Sequence, residues 1–353
     1  MQLIPDWAPN IHPMIVHFPI VLLIAAVLLD VSGLFLKRFN WLEKSAFVLY
    51  AIGTTVIIIT FFTGRSASDG LNIPANVISS VNDHADWAET TMWFFIIYSI
   101  VRLSIGFWLK KLNKAIVVPI VLIAFVGVYF LFRTTEYGAK LVYGHGLGTG
   151  NISRIEKTET KNGQKEEQVS DSIFTKSNDG SWKLIAAQGT ASVLKEKFKW
   201  IKGSADKLDP MYDRDESALM LHPEKEVVFV YDNKIKSVQV TAKINIDDFN
   251  GELELIHHFI DKNNYDFLRV GNSKIILARK TNEQENIFGE DRYAKKGWIE
   301  VKVVSDGKHF RGYVDNKIIV HGHDDEPKPG SVGLRITGKG SISIKEIMVE
   351  SLR

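Results

Sequence analysis

Four histidines, His12, His17, His84 and His145, are the residues of the N-terminal half whose type and placement suit chemistry. His12 and His17 lie in NIHPMIVHFPIVLLIAAVLLDVSGLFLKRF, at the start of an apolar run long enough to cross a bilayer. His17 falls about a turn and a half inside that run, where a polar ring is costly without a partner and an ionisable group points to function. The chain has no cysteine, which excludes thiolate metal sites, iron–sulfur clusters and covalently attached c-type haem. A bound metal or haem must therefore use histidine, methionine or oxygen. Two histidines from facing helices can hold a b-type haem within a bundle. His17 with His84 is the first axial pair, His145 the substitute because the glycines of YGHGLG let that segment fold back, and His12 an alternate or gate. His12 and His17 stand about 140° apart on a helix, so both need not face one ligand. A divalent metal on the same set is the alternative, and the competing reading is that each histidine caps a helix or bonds a loop carbonyl, as His12 just before Pro13 would.

The elements that must position these rings are four apolar spans, 13–36, 45–63, 85–109 and 115–134, each near the ~20 residues that cross a hydrocarbon core. The loops KRFNWLEK and KKLNK carry three basic residues each, whereas GRSASDGLNIPANVISSVNDH carries only Arg65. The positive-inside rule puts both basic loops in the cytoplasm and the N-terminus, the middle loop and everything after span four outside. The expected location is a bacterial inner membrane, with all four histidines at its periplasmic face. Asp83, Asp86 and Glu89 would either orient histidines through their second ring nitrogens or simply favour the first turn of span three. Asp30 and Arg102 lie at similar depth in spans that run the same way, which predicts a buried ion pair; the alternative is that each snorkels separately to the headgroups. With 43 basic and 41 acidic residues, net charge +2, there is no basic surplus to draw nucleic acid.

The segments NIHPMIVHFPIVLL, DHADWA and YGHGLG together resemble a widespread family of four-helix bacterial membrane proteins catalogued as a domain of unknown function. The resemblance covers about residues 8–150. It implies the helical fold, the topology and the pattern of histidines at one membrane face, and no established activity. Members often accompany periplasmic electron-transfer proteins, so it also suggests an electron carrier or oxidoreductase as partner.

Beyond residue 150 the chain turns polar. Residues 151–215 read as a linker with some structure that leads into a sandwich, and EKTETKNGQKEEQ within it as flexible. From 216 to 353, short alternating runs separated by DG, DN and PG predict an antiparallel β-sandwich of jelly-roll type. The stretch GWIEVKVVSDGKHFRGYVDNKIIVHGHDDEPKPGSVGLRI, with the closing ISIKEIMVES, resembles the concanavalin A-like lectin and glucanase superfamily, including the LamG-like and 3-keto-disaccharide hydrolase-like branches. That resemblance implies the fold; an activity does not travel with a fold, and glycosidase chemistry needs two facing carboxyl groups. His257, Tyr265 and Arg269, on adjacent strands, are candidate glycan contacts. His321, His323 and Asp324, with Asp325 beside them in HGHDDEPKPG, either bind a cation or form a solvated turn. Strand alternation predicts that His257 and His258 face opposite ways.

The fold class expected is α + β in two domains: a four-helix transmembrane bundle over 1–150, then the sandwich. The leading function is a membrane redox or scaffold subunit, with a b-type haem or metal at the periplasmic face and a sandwich that docks a glycan or protein. A membrane-anchored glycan-processing hydrolase or lyase and a non-catalytic assembly subunit are the alternatives.

Overall fold

The computed structural model describes residues 10–36, 38–69, 73–108, 114–148, 173–294 and 296–352. The chain divides into two compact units, one of helices and one mainly of strands.

The helical unit comprises α1 (His12–Ile15), α2 (His17–Phe35), α3 (Trp41–Asp69), α4 (Ala75–Trp108) and α5 (Lys114–Ala139), the last running into a π-helical turn at Lys140–Gly144. Four stretches are long and apolar enough to cross a membrane: His12–Phe35, Trp41–Asp69, Ala75–Phe107 and Val118–Gly144. Several outrun the apolar runs that predict them. α3 continues through Arg65 to Asp69, and α4 begins at Ala75, where the sequence places the span at 85. Hydropathy finds only the lipid-facing part of a helix; Ala, Ser and Asn carry it on without a break, and Pro74 stands where α4 starts.

Burial in this unit is inverted relative to a water-soluble bundle. Large apolar side chains such as Phe18, Val21, Leu28, Ile97, Leu122 and Phe132 are exposed, while Leu23, Ala26, Ala46, Tyr50, Phe95 and Ala124 fill the interior. Bulky apolar side chains turned outward, with alanines among the residues that let the helices approach inside, is the arrangement that a lipid solvent favours. The unit is a four-helix membrane bundle.

The second unit is a two-sheet sandwich. Its strands are β1 (Phe174–Lys176), β2 (Trp182–Ile185), β3 (Lys199–Lys202), β4 (Met211–Asp213), β5 (Ala218–Leu221) and β6 (Val227–Ile235). Then come β7 (Val238–Asn245), β8 (Phe249–Asp261), β9 (Asn264–Val270), β10 (Lys274–Thr281) and β11 (Gln284–Arg292). The chain closes with β12 (Ile299–Asp306), β13 (His309–Val314), β14 (Lys317–His323), β15 (Gly330–Gly340) and β16 (Ile342–Ser351). One sheet runs β1-β2-β16-β7-β12-β13-β14, with β5 beside β16 and β4 beside β5; the other runs β11-β10-β9-β8-β15-β6-β3. All these pairings are antiparallel. Inner-face residues Val240, Ala242, Val301, Val303 and Phe310 of the first sheet meet Leu253, Leu255, Leu268, Leu277 and Leu334 of the second in one core.

Of the stretch read as linker, 151–172 lies outside the described residues. Residues 173–215 belong to the sandwich: Phe174, Trp182, Leu184 and Phe198 join its core, and helix α6 (Thr190–Lys197) packs Val193 and Leu194 into it. Two hairpin tips, Asn282-Glu283 and Asp315-Asn316, hold both residues at positive φ. That is the I′ geometry, whose twist matches the strands it joins.

Candidate functional site

In the helical unit, two histidines are held in the same way. His12 donates from Nδ1 to the Thr60 carbonyl at 3.1 Å, with Thr63 Oγ1 at 3.3 Å. His84 donates from Nδ1 to the Thr134 carbonyl at 3.0 Å. In each case a glycine one turn further on makes room for the ring. A Cβ on Gly64 would lie 2.9 Å from His12 Cε1, and one on Gly138 would lie 3.1 Å from His84 Cε1. A carbonyl only accepts, so Nδ1 carries the proton in both rings, and in the neutral imidazole Nε2 keeps its lone pair. His12 also lies within electrostatic reach of His84.

This likeness is a repeat of plan. The 72-residue step from Asp30 to Arg102 also separates His12 from His84. One common step likewise takes Thr60 to Thr134 and Gly64 to Gly138, in the motifs TFFTG and TTEYG. The α1–α2 span with α3, and α4 with α5, therefore use the same histidine, threonine and glycine positions. Internal repeats of this kind are common in membrane bundles.

The other two histidines sit differently. His17 is exposed on the bundle surface, and among the described residues no contact joins it to His84. The first pair read from sequence, His17 with His84, is thus not brought together; the ring held in the same way as His84 is that of His12. Val16, between α1 and α2, keeps helical dihedrals, so the five-residue offset of about 140° alone turns His17 outward when His12 faces α3. His145, just beyond the π-helical turn, meets Ser80 Oγ through Nε2 at 3.1 Å. The partner of the His84 Nδ1 proton is a backbone carbonyl of α5, where the sequence offered Asp83, Asp86 or Glu89. At the other end of the bundle, Arg102 grips Asp30 with two hydrogen bonds of 2.9 and 2.6 Å, both side chains buried, and its guanidinium lies 4.6 Å from the Phe47 ring.

In the sandwich, His257 and His258 do not alternate. His258 has φ +52°, the β8 and β9 register shifts between His257 and Asp261, and both rings are buried with their Nδ1 atoms 2.8 Å apart. The bulge turns the second ring to the side of the first, which corrects the opposite-face reading; bulges commonly re-aim a side chain in this way. Gly330 crosses so close to the His258 backbone that a Cβ there would clash at 2.4 Å. His258 donates from Nε2 to the Lys236 carbonyl at 3.0 Å, and its Nδ1 lies 3.5 Å from Asp266. Burial and the neighbouring His258 push His257 down to about 3, so it is neutral. Against burial, which would raise it, His258 and Arg279 hold the Asp266 carboxyl down at about 2.

The remaining sandwich candidates are committed to internal contacts. Tyr265 is buried against Phe259 and Phe267. Arg269 bonds Glu254 at 2.8 Å and Glu285 at 2.6 Å, and Arg335 bonds Glu254 at 2.7 Å from the other side. Burial pushes the Glu254 carboxyl up while these two guanidiniums pull it back. Asp324 meets Arg279 at 3.4 Å and Asn286 at 3.3 Å. The buried carboxyl groups of Glu254 and Asp266 are thus each spent on arginine.

Two further sandwich features gather polar groups in one place. The donor atoms of His309, His321 and His323 lie within 4.8 Å of one another. Sequence reading found the last two and missed His309, although the signal exists: counting outward from the Asp315-Asn316 tip along two strands, with one bulge at Gly312, pairs His309 with His323. Separately, a cleft of about 690 Å³ opens among Asp247, Asp248, Asn272, Ser273, Tyr293 and Lys296. Tyr293 donates its hydroxyl proton to the Gly271 carbonyl, and burial pushes that phenol up to about 12.

Comparison with solved structures gives partial alignments to several proteins. The carbohydrate-binding module CBM66 from Bacillus subtilis is 13% identical, with 42% of this chain and 94% of the module aligned at a TM-score of 0.36. A prokaryotic β-1,3-1,4-glucanase, a lichenase from a mouse hindgut metagenome, is 10% identical over 43% of this chain and 92% of its own, with a TM-score of 0.34. The β-glucanase of Bacillus licheniformis is 9% identical over 44% and 92%, with a TM-score of 0.33. No curated protein matches the sequence. In the helical unit, residues 8–151 match the family model described as "Predicted membrane protein (DUF2231)".

Proposed function

We propose that the bundle is a membrane redox or scaffold module in which His12 and His84 hold one b-type haem or metal ion. The twin arrangement carries this reading. Each Nδ1 proton is spent on a carbonyl of the neighbouring helix, which fixes the ring and leaves Nε2 as the donor. Histidine ligands are ordinarily prepared in this way, the second nitrogen bonded to a carbonyl or carboxylate that sets tautomer and orientation. A haem or redox metal would supply one-electron transfer; the chain's own residues position the donors and keep lipid and water from them. His145, tied to Ser80, would close the same end.

Under this reading the sandwich projects into the periplasm and docks a glycan or a protein carrier at the cleft beside Asn272, Ser273, Tyr293 and Lys296. Polar groups converging on a concavity of this size are what a small-ligand site requires. Because the chain lacks cysteine, a single Ser177→Cys reports sidedness: labelling by a membrane-impermeant maleimide in intact spheroplasts is expected, and protection until lysis would place the sandwich in the cytoplasm.

The histidine assignment is tested by a reduced-minus-oxidised visible spectrum of the detergent-purified protein from haem-replete cells. A b-type band retained by His17→Ala and lost in His12→Ala and His84→Ala is the expected result. A featureless wild-type spectrum would reject haem and leave the metal arm.

A further inference from the structure

We propose that His309, His321 and His323 form a transition-metal site on the outer face of the sandwich, independent of the bundle histidines. β13 and β14 build it. His309 and His323 are direct cross-strand partners, and His321 is two residues before His323, so strand alternation brings all three rings to one face. The core side chains Phe310 and Val320 point the other way. Ring centroids lie 4.8 Å apart for His309 and His323, 4.8 Å for His321 and His323, and 6.4 Å for His309 and His321. One nitrogen from each ring lies within 4.8 Å of the others, a spacing that small ring rotations would close to the ~2.0–2.1 Å metal–nitrogen bonds of a common ion.

The donor set selects the metal class. Three imidazoles without thiolate or carboxylate suit Zn²⁺, Co²⁺, Ni²⁺ or Cu²⁺ and not Ca²⁺ or Mg²⁺, which take oxygen. Burial is graded from His309, buried, through His321 to His323, exposed, so one side of the triad meets solvent. Three protein nitrogens with an open fourth position is the pattern of a reactive zinc centre, in which bound water becomes acidic enough to ionise near neutral pH. By register Asp306 of β12 is the cross-strand partner of His309, and Arg311 of β13 is that of His321. Asp324, the carboxylate that sequence places with this group, is drawn instead toward Arg279.

The Asp315-Asn316 tip explains why the triad forms at all. Its two left-handed residues fix the hairpin register, and a one-residue slip would turn His321 and His323 to the core face.

The test is titration of the metal-stripped, detergent-solubilised full chain with Zn²⁺ against a chromophoric chelator, and with Co²⁺ followed by visible absorption. One equivalent bound by the chain carrying His12→Ala and His84→Ala, with a tetrahedral Co²⁺ band, is expected. In that background His321→Gln and His323→Gln should each weaken Zn²⁺ at least tenfold. Far-UV circular dichroism separates lost ligands from lost fold, and the exposed His323→Gln is the variant that should keep the strands. With Cu²⁺, electron spin echo modulation should count three imidazoles in the wild type and two in His323→Gln. No bound equivalent, or equal affinity in folded His321→Gln and His323→Gln, overturns the proposal.

Discussion

The two units solve the same problem, holding polar side chains away from water, by different means. In the bundle, polar groups are settled by helix step: His12 and His84 each reach one carbonyl of the adjacent helix, and Arg102 reaches one carboxylate. In the sandwich they are settled by strand register, in chains: Glu285, Arg269, Glu254, Arg335 and Glu226 alternate in charge across the second sheet. A helix step repeats, so one plan serves twice and yields paired, similar sites. A register does not, so the sandwich histidines gather in two unlike clusters, one buried beside Asp266 and one on an outer face.

That contrast can be broken at its strongest point first. Arg102→Ala leaves Asp30 buried without its guanidinium and should cost about 3–5 kcal/mol, whereas the joint change Asp30→Leu with Arg102→Met should cost much less. Thermal unfolding of the bundle in detergent measures both. Equal losses would mean that the pair is not what settles this layer.

The glycine cradles come next. Gly64→Ala and Gly138→Ala press a methyl onto His12 and His84 and should each destabilise by about 1–3 kcal/mol. Gly33→Ala, with its nearest neighbour at 3.9 Å, is the control and should be nearly silent. Melting temperatures rank the three.

Acid should act on the sandwich through His257. Its folded-state value is about 3 against an ordinary 6.5, so the folded chain refuses a proton that the unfolded chain accepts. Stability is therefore whole above pH 6.5 and should fall by about 1.4 kcal/mol per pH unit from 6.5 toward 3. Asp266 adds to the loss only lower, between its ordinary 3.8 and about 2. Denaturant unfolding of His257→Gln between pH 6.5 and 4.5 should show a flatter profile than wild type. The smallest expected effect is Thr63→Ala, which removes the longer of two acceptors from His12 Nδ1 and should cost about 0.5–1.5 kcal/mol by the same melts.

Much of this architecture was legible. Apolar runs of bilayer length marked the four helices, and alternating strands with DG, DN and PG turns marked a two-sheet antiparallel sandwich. The helix ends were not legible, because hydropathy reports solvent and not hydrogen bonding; α4 simply continues through polar SSVNDH. The repeat from His12 to His84 was present in the spacing and hidden by the divergence of the residues between. His17 looked deeper than His12 by position alone, yet about 140° of helix separates the two rings, and with His12 turned inward His17 is exposed. His258 defeated strand alternation because a bulge with a left-handed residue leaves no strong mark in sequence. His309 was missed because it becomes a neighbour of His323 only once the hairpin register is counted.

The central claim is that His12 and His84 share one ligand. It is tested most directly by haem and transition-metal content per chain in a His321→Gln, His323→Gln background that silences the sandwich triad. One equivalent in that background, retained by His17→Ala and absent from both His12→Ala and His84→Ala, is the result predicted. Content that survives either single loss unchanged, or an empty bundle from haem- and metal-replete cells, would contradict it.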